Sequence, residues 1–404
     1  MNTSATTRVN SLLVVLNPNA GRKQGRKQFT KIVQPSLERS GKIFRLFETN
    51  SQGHAQSYFK DNICQLLTDG IHSKVQGDSI TEIEDASSSA IPASLCIMVL
   101  GGDGTVHEVI NGILLGLEDG SNGSTVPGPR IEFAIVPTGT GNAIATSLDI
   151  TSVQDALDRF LVGNMAPLGV IKVSKLSQDN SIRSDRNHKE TRIWKPYIYS
   201  VVVNSFGLHC ATVADSEGFR GLGNARFILA TLKNIVFLKQ YKARVDLFGP
   251  YQRYDRSLRE MISLQEEFDA QDNDSSAPSV PSRTLSGPFT YLMFTKQASL
   301  ERGFTPAPYA RASDEWLDIL AVQNVGRRQI LKVLKLTTKN GQHVELDEVE
   351  YYKAKAVELE TTTKGRICID GEFMDIEAGP EGRVRFEVVS PCSSSSNACF
   401  YVVQ

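Results

Sequence analysis

Short apolar runs alternate with amphipathic stretches through the first part of the chain. Leu12-Leu13-Val14-Val15-Leu16 is apolar at every position, the pattern of a strand covered on both faces, and it stops at Asn17-Pro18. From Gln24 to Ser40 the residues Phe29, Ile32, Val33 and Leu37 recur at helical spacing, and a second strand pattern follows at Ile43–Phe47. Leu95–Leu100 and Phe133–Val136 each run straight into a glycine-rich turn, and after the first of these Val106, Val109, Ile110, Ile113 and Leu114 line one helical face. Strand, turn and helix in repetition predict an α/β domain built on an open, mostly parallel sheet.

Beyond about Gly163 the pattern becomes alternating strands: Tyr197–Val203, Phe289–Phe294, Leu317–Val322, Ala356–Glu360 and Arg383–Val389. This predicts a mainly antiparallel β-sandwich, interrupted by one helix over Ala225–Tyr241 whose apolar positions include Phe227, Ile228, Leu232, Ile235, Val236 and Leu238. Loop insertions are expected at 77–90, at 177–192 and in the acidic run 266–286, the last within a larger insertion over about 253–286. The predicted organisation is a first domain over 1–163, a second over 164–390 and a flexible, Ser-rich tail over 391–404.

Composition narrows the function classes. A chain of 404 residues accommodates two domains. With 44 Lys+Arg against 45 Asp+Glu, it lacks the basic excess of a general nucleic-acid binder, and no nucleic-acid partner is expected. Neither a membrane span nor a signal peptide is visible, so the expected location is cytoplasmic. Six scattered cysteines without a C-x-x-C pair point to reduced thiols rather than zinc or disulfides.

Three strand ends deliver polar or glycine-rich turns: Asn17-Pro18-Asn19-Ala20-Gly21, Gly101-Gly102-Asp103-Gly104-Thr105 and Thr138-Gly139-Thr140-Gly141-Asn142. In an open parallel sheet such turns converge on one crevice outside the carboxyl ends of the strands. Glycine lets backbone N–H groups approach an anion, and a following helix N-terminus adds positive partial charge, so phosphate is the natural guest. Asp103, between glycines at a strand end, can accept a hydroxyl proton or hold Mg²⁺; the alternative is an N-cap for the helix starting near Thr105.

Other chemistries fail on spacing. There is no Walker-type Gly-x-x-x-x-Gly-Lys-Ser/Thr, no His-Arg-Asp or Asp-Phe-Gly of protein kinases, and Gly139-Thr140-Gly141-Asn142-Ala143-Ile144 lacks the third glycine of the dinucleotide fingerprint. His107-Glu108-Val109-Ile110-Asn111 begins like a zinc-protease helix, but Asn111 stands where the second histidine would be.

Taken together, the Asn17-Pro18 turn, the block from Gly101 to Gly112, Pro137–Ala143 and Ile369-Asp370-Gly371-Glu372 resemble the diacylglycerol kinase catalytic superfamily, and within it the sphingosine (long-chain-base) kinase branch. NAD kinases share the Gly-Gly-Asp-Gly-Thr element, whereas the later blocks favour lipid kinases. The resemblance implies ATP and Mg²⁺ as cofactors, ATP in a cleft between the two domains, and Asp103 as the base for a lipid hydroxyl. Asn17, Pro18, Asn19, Gly21, Thr49, Gly101, Gly102, Gly104, Glu108, Gly139, Thr140 and Gly141 then match nucleotide contacts. Ser216–Phe227 resembles the segment that gives two arginines, here Arg220 and Arg226, to the phosphates, and Asp370, Gly371 and Glu372 return to the nucleotide from the second domain. Glu372 matches a residue considered as an alternative base in some bacterial lipid kinases of this superfamily.

The implied partners are a lipid substrate and, peripherally, a membrane surface. Where sphingosine kinases carry the acid that recognises the lipid head, this chain has Val213, with Ala211 at a neighbouring acidic position; Asp215 is the nearest substitute. Asp314-Glu315 stands where the family usually has Asp-Gly before an apolar strand. Phe227 and Leu232, on the helix following the arginines, are the expected acyl contacts. Diacylglycerol or another lipid alcohol remains the alternative acceptor, and a catalytically silent nucleotide- or lipid-binding regulator the alternative of another class.

Overall fold

Strand β1, Leu12–Leu16, is buried at every residue because it lies inside a sheet, paired in parallel with β2, Phe44–Glu48, on one side and β3, Ser94–Gly101, on the other. The computed structural model describes residues 12–69, 94–120, 128–176, 193–264, 280–389 and 398–404, apart from positions 22 and 224. Strand β4, Arg130–Pro137, continues the parallel sheet beyond β3. The edge strand β2 is only partly covered, and its burial is irregular.

The expected tail is corrected here. Residues Cys399–Val403 form a strand that pairs in parallel with β4 and antiparallel with β5, Met165–Pro167, giving the order β2-β1-β3-β4-C-terminal strand-β5. Phe400 and Val402 bury themselves there, which is the physical reason a Ser-rich approach ends in ordered structure. Helices α1, His54–Asp69, and α2, Asp103–Gly120, pack together through Gly112 and Gly116. A Cβ on Gly112 would stand 2.4 Å from the Gln56 carbonyl oxygen, and one on Gly116 would stand 2.6 Å from that of Lys60.

The chain divides into two units: residues to Gly139 with Ile150–Leu168 and Ser390–Gln404, and Thr140–Asp149 with Gly169–Val389. The second unit is one antiparallel sheet. Its strands are β6 (Val170–Leu176), β7 (Trp194–Ser200), β8 (Val203–Gly207), β9 (Ala243–Asp255), β10 (Glu260–Leu264), β11 (Arg283–Ser286), β12 (Phe289–Thr295), β13 (Leu317–Gln323), β14 (Val349–Thr361), β15 (Gly365–Ile369), β16 (Glu372–Ile376) and β17 (Val384–Val389). The main path runs β16-β15-β8-β12-β13-β14-β17-β6-β7, and β9 crosses to β14 while carrying β10 and β11. Phe206, Val245, Leu292, Phe294, Tyr352 and Phe386 belong to its core. The fold class expected from the sequence is therefore the one observed.

Three expectations need revision. The insertion over about 253–286 is narrower, because its flanks form the end of β9, β10 and β11, where alternate residues meet a paired neighbour; positions 265–279 lie outside the described residues, as do 77–90 and 177–192. Helix Ala225–Val236 stops short of Tyr241, whose backbone pairs with Phe289 instead. Two further helices, Leu208–Ser216 and Arg327–Thr337, interrupt the strands. With the Ala225 helix between them, these three are α3, α4 and α5 in chain order. Among the described residues no helix is long and apolar enough to cross a membrane.

Candidate active site

In the first unit the first two turns and the start of the third, Thr138-Gly139, come together at the carboxyl ends of β1, β3 and β4. The Asn17 amide donates to the Leu100 carbonyl at 2.9 Å, and its side-chain Nδ2 donates to Thr105 Oγ1, also at 2.9 Å. Asn17 Oδ1 accepts from the Asn19 amide, so one side chain both shapes the Asn17–Gly21 turn and ties it to the Gly-Gly-Asp-Gly turn. The amides of Thr138 and Gly139 both donate to the Gly101 carbonyl, at 3.1 and 3.0 Å. Gly21 has φ +55°, and a Cβ on it would lie 2.6 Å from the Thr138 carbonyl oxygen, so glycine there serves both the turn and the close approach. Pro18 lies in the same turn.

Asp103 is half-buried and is the first residue of α2. The first helical hydrogen bonds, from Thr105 and Val106, are accepted by the Gly102 carbonyl, which places Gly102 at the flanking position and Asp103 inside the first turn. A Cβ on Gly104 would meet nothing within 4 Å, leaving that backbone open, whereas one on Gly101 would collide with Thr105. Thr138 Oγ1 is buried without a partner among the described residues, an unspent hydrogen-bonding hydroxyl at the phosphate-type turn. Sequence reasoning passed over Thr138 and Thr105; their place inside the turns was the available signal.

Two of the expected site carboxylates hold backbone amides. Glu108 accepts the amides of Gly53 and Ala55 at 2.9 and 3.2 Å, one on each carboxylate oxygen. It caps the start of α1, where unpaired N–H groups and the helix dipole both favour an anion, and so positions α1. Thr49 follows β2, buried, with its amide bonded to Leu16. His107 is buried inside α2, and Asn111 Nδ2 donates to its carbonyl at 2.9 Å, consistent with a structural pair.

In the second unit Asp370 is the other of the two. Its Oδ1 accepts from Ser200 Oγ and from the amides of Val202 and Val203, and its Oδ2 accepts from the Val201 amide, all between 2.7 and 3.0 Å. Four donors occupy the carboxylate, so Asp370 clamps the β7–β8 connection. Its own φ is +49° and that of Gly371 is +99°, a left-handed pair that turns the chain to present the exposed Glu372 at the start of β16. Thr140 and Gly141 fall within the second unit, before the short helix Ala143–Ser147.

Arg226 opens α4, with its guanidinium 4.6 Å from the Phe227 ring. The hydrogen bond from its guanidinium to Glu217 is long at 3.5 Å and engages one of five donors. Arg220 lies in the 3₁₀ turn Glu217–Leu222, and its side chain is outside the described part of the structure. Asp215, at the end of α3, is engaged by Lys233 at 3.1 Å and by Asn234 Nδ2 at 2.8 Å; α4 takes the carboxylate offered as the lipid-head partner. The apolar side chains of α4 are largely uncovered: Ile228, Leu229, Leu232 and Val236 are all exposed, as is Phe237 just after the helix, and among the helix residues only Ala230 and Ile235 are buried. Beside α3 a cavity of about 420 Å³ is lined by Phe206, Cys210, Ala211, Ala214 and Tyr241 among others.

Comparison with known proteins identifies both domains. Residues 11–173 match the diacylglycerol kinase catalytic domain, and residues 201–384 match the YegS C-terminal NAD kinase beta sandwich-like domain. Sphingosine kinase 2 of Arabidopsis thaliana is 28% identical over 378 residues, 90% of this chain and 69% of that protein. Sphingosine kinase 1 of Homo sapiens is 24% identical over 94% of this chain and 91% of that protein. A diacylglycerol kinase structure from Bacillus anthracis strain Sterne shares the fold, with TM-score 0.53 and 16% identity over 98% of this chain and 97% of that chain. Matching domains in both halves make the chain a lipid kinase with a diacylglycerol-kinase-type catalytic domain, and over 90–94% of its length it is similar to sphingosine kinases.

Proposed function

We propose that the enzyme transfers the γ-phosphate of ATP to the primary hydroxyl of a sphingoid long-chain base. The observation that carries this reading is the convergence of the first two turns and the start of the third around Asp103 at the N-terminus of α2. Open glycine backbone and a helix N-terminus suit phosphate, and a half-buried carboxylate beside them suits a proton acceptor for an attacking hydroxyl. Asp103 orients the acceptor hydroxyl and takes its proton as the new O–P bond forms. Arg226 and Arg220 offset charge on the transferring group. Glu372, exposed beyond the Asp370-Gly371 turn, is the alternative proton acceptor.

Among the described residues no group of three or more His, Cys, Asp or Glu could hold a metal ion. At the turn Asp103 is the carboxylate that would hold Mg²⁺, and the ion would supply neutralisation of phosphate charge. The exposed apolar face of α4 and the cavity beside α3 support an acyl-bearing substrate met at a membrane surface by a peripheral, cytoplasmic enzyme.

A second acceptor class, neutral lipid alcohols such as diacylglycerol, is favoured by one observation: Asp215 is already paired, and Val213 and Ala211 offer no carboxylate to an ammonium head. Transfer of labelled γ-phosphate to vesicles containing a sphingoid base, diacylglycerol or neither decides between them. Preference for the base supports the first reading, preference for diacylglycerol the second, and transfer to neither removes both.

A further inference from the structure

The connection between β7 and β8 is held from two sides. Asp370 grips the amides of Val201, Val202 and Val203 as described, and the Asp370 amide donates back to the Val203 carbonyl at 2.8 Å. From the other side Thr295 Oγ1 donates to the Val202 carbonyl at 2.7 Å, the Lys296 amide donates to the same oxygen at 3.3 Å, and Gln297 Nε2 donates to the Val201 carbonyl at 2.8 Å. Thr295, Lys296 and Gln297 are all fully buried.

Lys296 anchors that segment. Its ammonium donates to the Asp314 carbonyl at 2.7 Å, to Asp314 Oδ1 at 2.6 Å and to the Trp316 carbonyl at 2.7 Å, one acceptor for each proton. Asp314 Oδ2 and Asp318 accept from Lys353 at 2.9 and 3.1 Å, and Tyr351 donates to Asp318 at 2.6 Å, so two cations meet two anions inside the unit. Gly169 makes room, since a Cβ there would stand 2.6 Å from Lys296 Cε. Burial pulls the Lys296 pKa down while the Asp314 carboxylate beside it pushes back. Well-packed apolar residues commonly match or exceed a buried network of this kind in stability, so stability alone does not account for it.

We propose that Lys296 is a positioning residue for the Asp370-Gly371-Glu372 turn. Its ammonium, held by the 314–316 segment, fixes Thr295–Gln297, and these fix the carbonyls of Val201 and Val202. The three amides that orient Asp370 are thereby set, and with them the left-handed turn presenting Glu372. The catalytic consequence rests on the phosphate-transfer reading above, whereas the mechanical linkage does not.

The test is Lys296→Met, which keeps length and removes charge, followed by amide hydrogen exchange and by steady-state kinetics on the full chain. Loss of a charge-assisted hydrogen bond corresponds to about tenfold or more, so exchange at Val201–Val203 and Asp370–Glu372 should accelerate by that factor while β17 stays protected. Turnover should fall by about tenfold with KM for ATP within about twofold. Unchanged exchange at both segments overturns the linkage. Acceleration spread equally over the whole unit also overturns it, whereas local acceleration with normal turnover upholds the linkage and overturns its catalytic consequence. If Lys296→Met does not fold, Gly169→Ala, which displaces the lysine stem and keeps its charge, is judged by the same outcomes. Should the wild-type enzyme transfer no phosphate to any lipid, the functional reading fails, and the exchange arms still decide the linkage.

Discussion

Replacing Asp370 by asparagine separates a structural clamp from a nucleotide ligand. The carboxylate accepts three donors on Oδ1 and one on Oδ2. An amide can keep its oxygen toward the three, but its NH₂ then faces the Val201 N–H, which strands a donor at a cost of about 1–3 kcal/mol. The remaining bonds change from charge-assisted to neutral and weaken by roughly half. Together Asp370→Asn should remove about 3–5 kcal/mol, a large part of the 5–15 kcal/mol typical of a domain. Urea unfolding without nucleotide, followed by near-ultraviolet circular dichroism, measures this as a lower midpoint at unchanged slope. A midpoint shift worth less than about 1 kcal/mol, joined to weakened ATP binding, would refute the clamp and return Asp370 to the nucleotide.

Glu108→Gln can satisfy only one of the two α1 amides, so stability should drop by about 1–2 kcal/mol in thermal unfolding while ATP affinity stays unchanged. Gly112→Ala forces a Cβ against the Gln56 carbonyl; overpacking of about 1–3 kcal/mol should exceed the roughly 1 kcal/mol gained in helix propensity and lower the melting temperature. Burial holds His209 and His343 at about 4, below the ordinary 6.5, so the stability they confer is full above pH 6.5 and is lost as pH falls toward 4. Burial pushes Asp318 the other way, up to about 6, so the native state holds a proton there that the unfolded state releases. Near pH 5 unfolding therefore takes up two protons at the histidines and releases one at Asp318, a net uptake of about one; urea midpoints against pH should show stability falling on acidification, and His209→Leu should bring the slope near zero.

The parallel sheet was legible because β1 and β3 are apolar at nearly every position and end in glycine turns, a pattern produced by burial on both faces. The convergence of those turns followed from topology alone, and Asn17 realises it through a bond to Thr105. The roles of Glu108 and Asp370 were hidden because their partners, backbone amides at Gly53 and at Val201–Val203, carry no side-chain signature and become neighbours only through the fold. The C-terminal strand was masked by the serine run before it, since its five residues gain their place by pairing with β4 rather than by local pattern. Asp215 illustrates the limit of motif matching: it is the carboxylate nearest the motif position that Val213 fills, and Lys233 and Asn234, adjacent on α4 and part of no motif, claim it.

The central claim is that Asp103 accepts the proton of an acceptor-lipid hydroxyl in ATP-dependent transfer. The most direct measurement compares wild type with Asp103→Asn for labelled phosphate transfer from ATP to a sphingoid base in vesicles, with ATP binding measured in parallel. The account predicts a turnover loss of about 10²-fold or more with ATP binding and melting temperature preserved. Near-normal turnover in Asp103→Asn, with Glu372→Gln inactive, would contradict it and move the proton acceptor to Glu372.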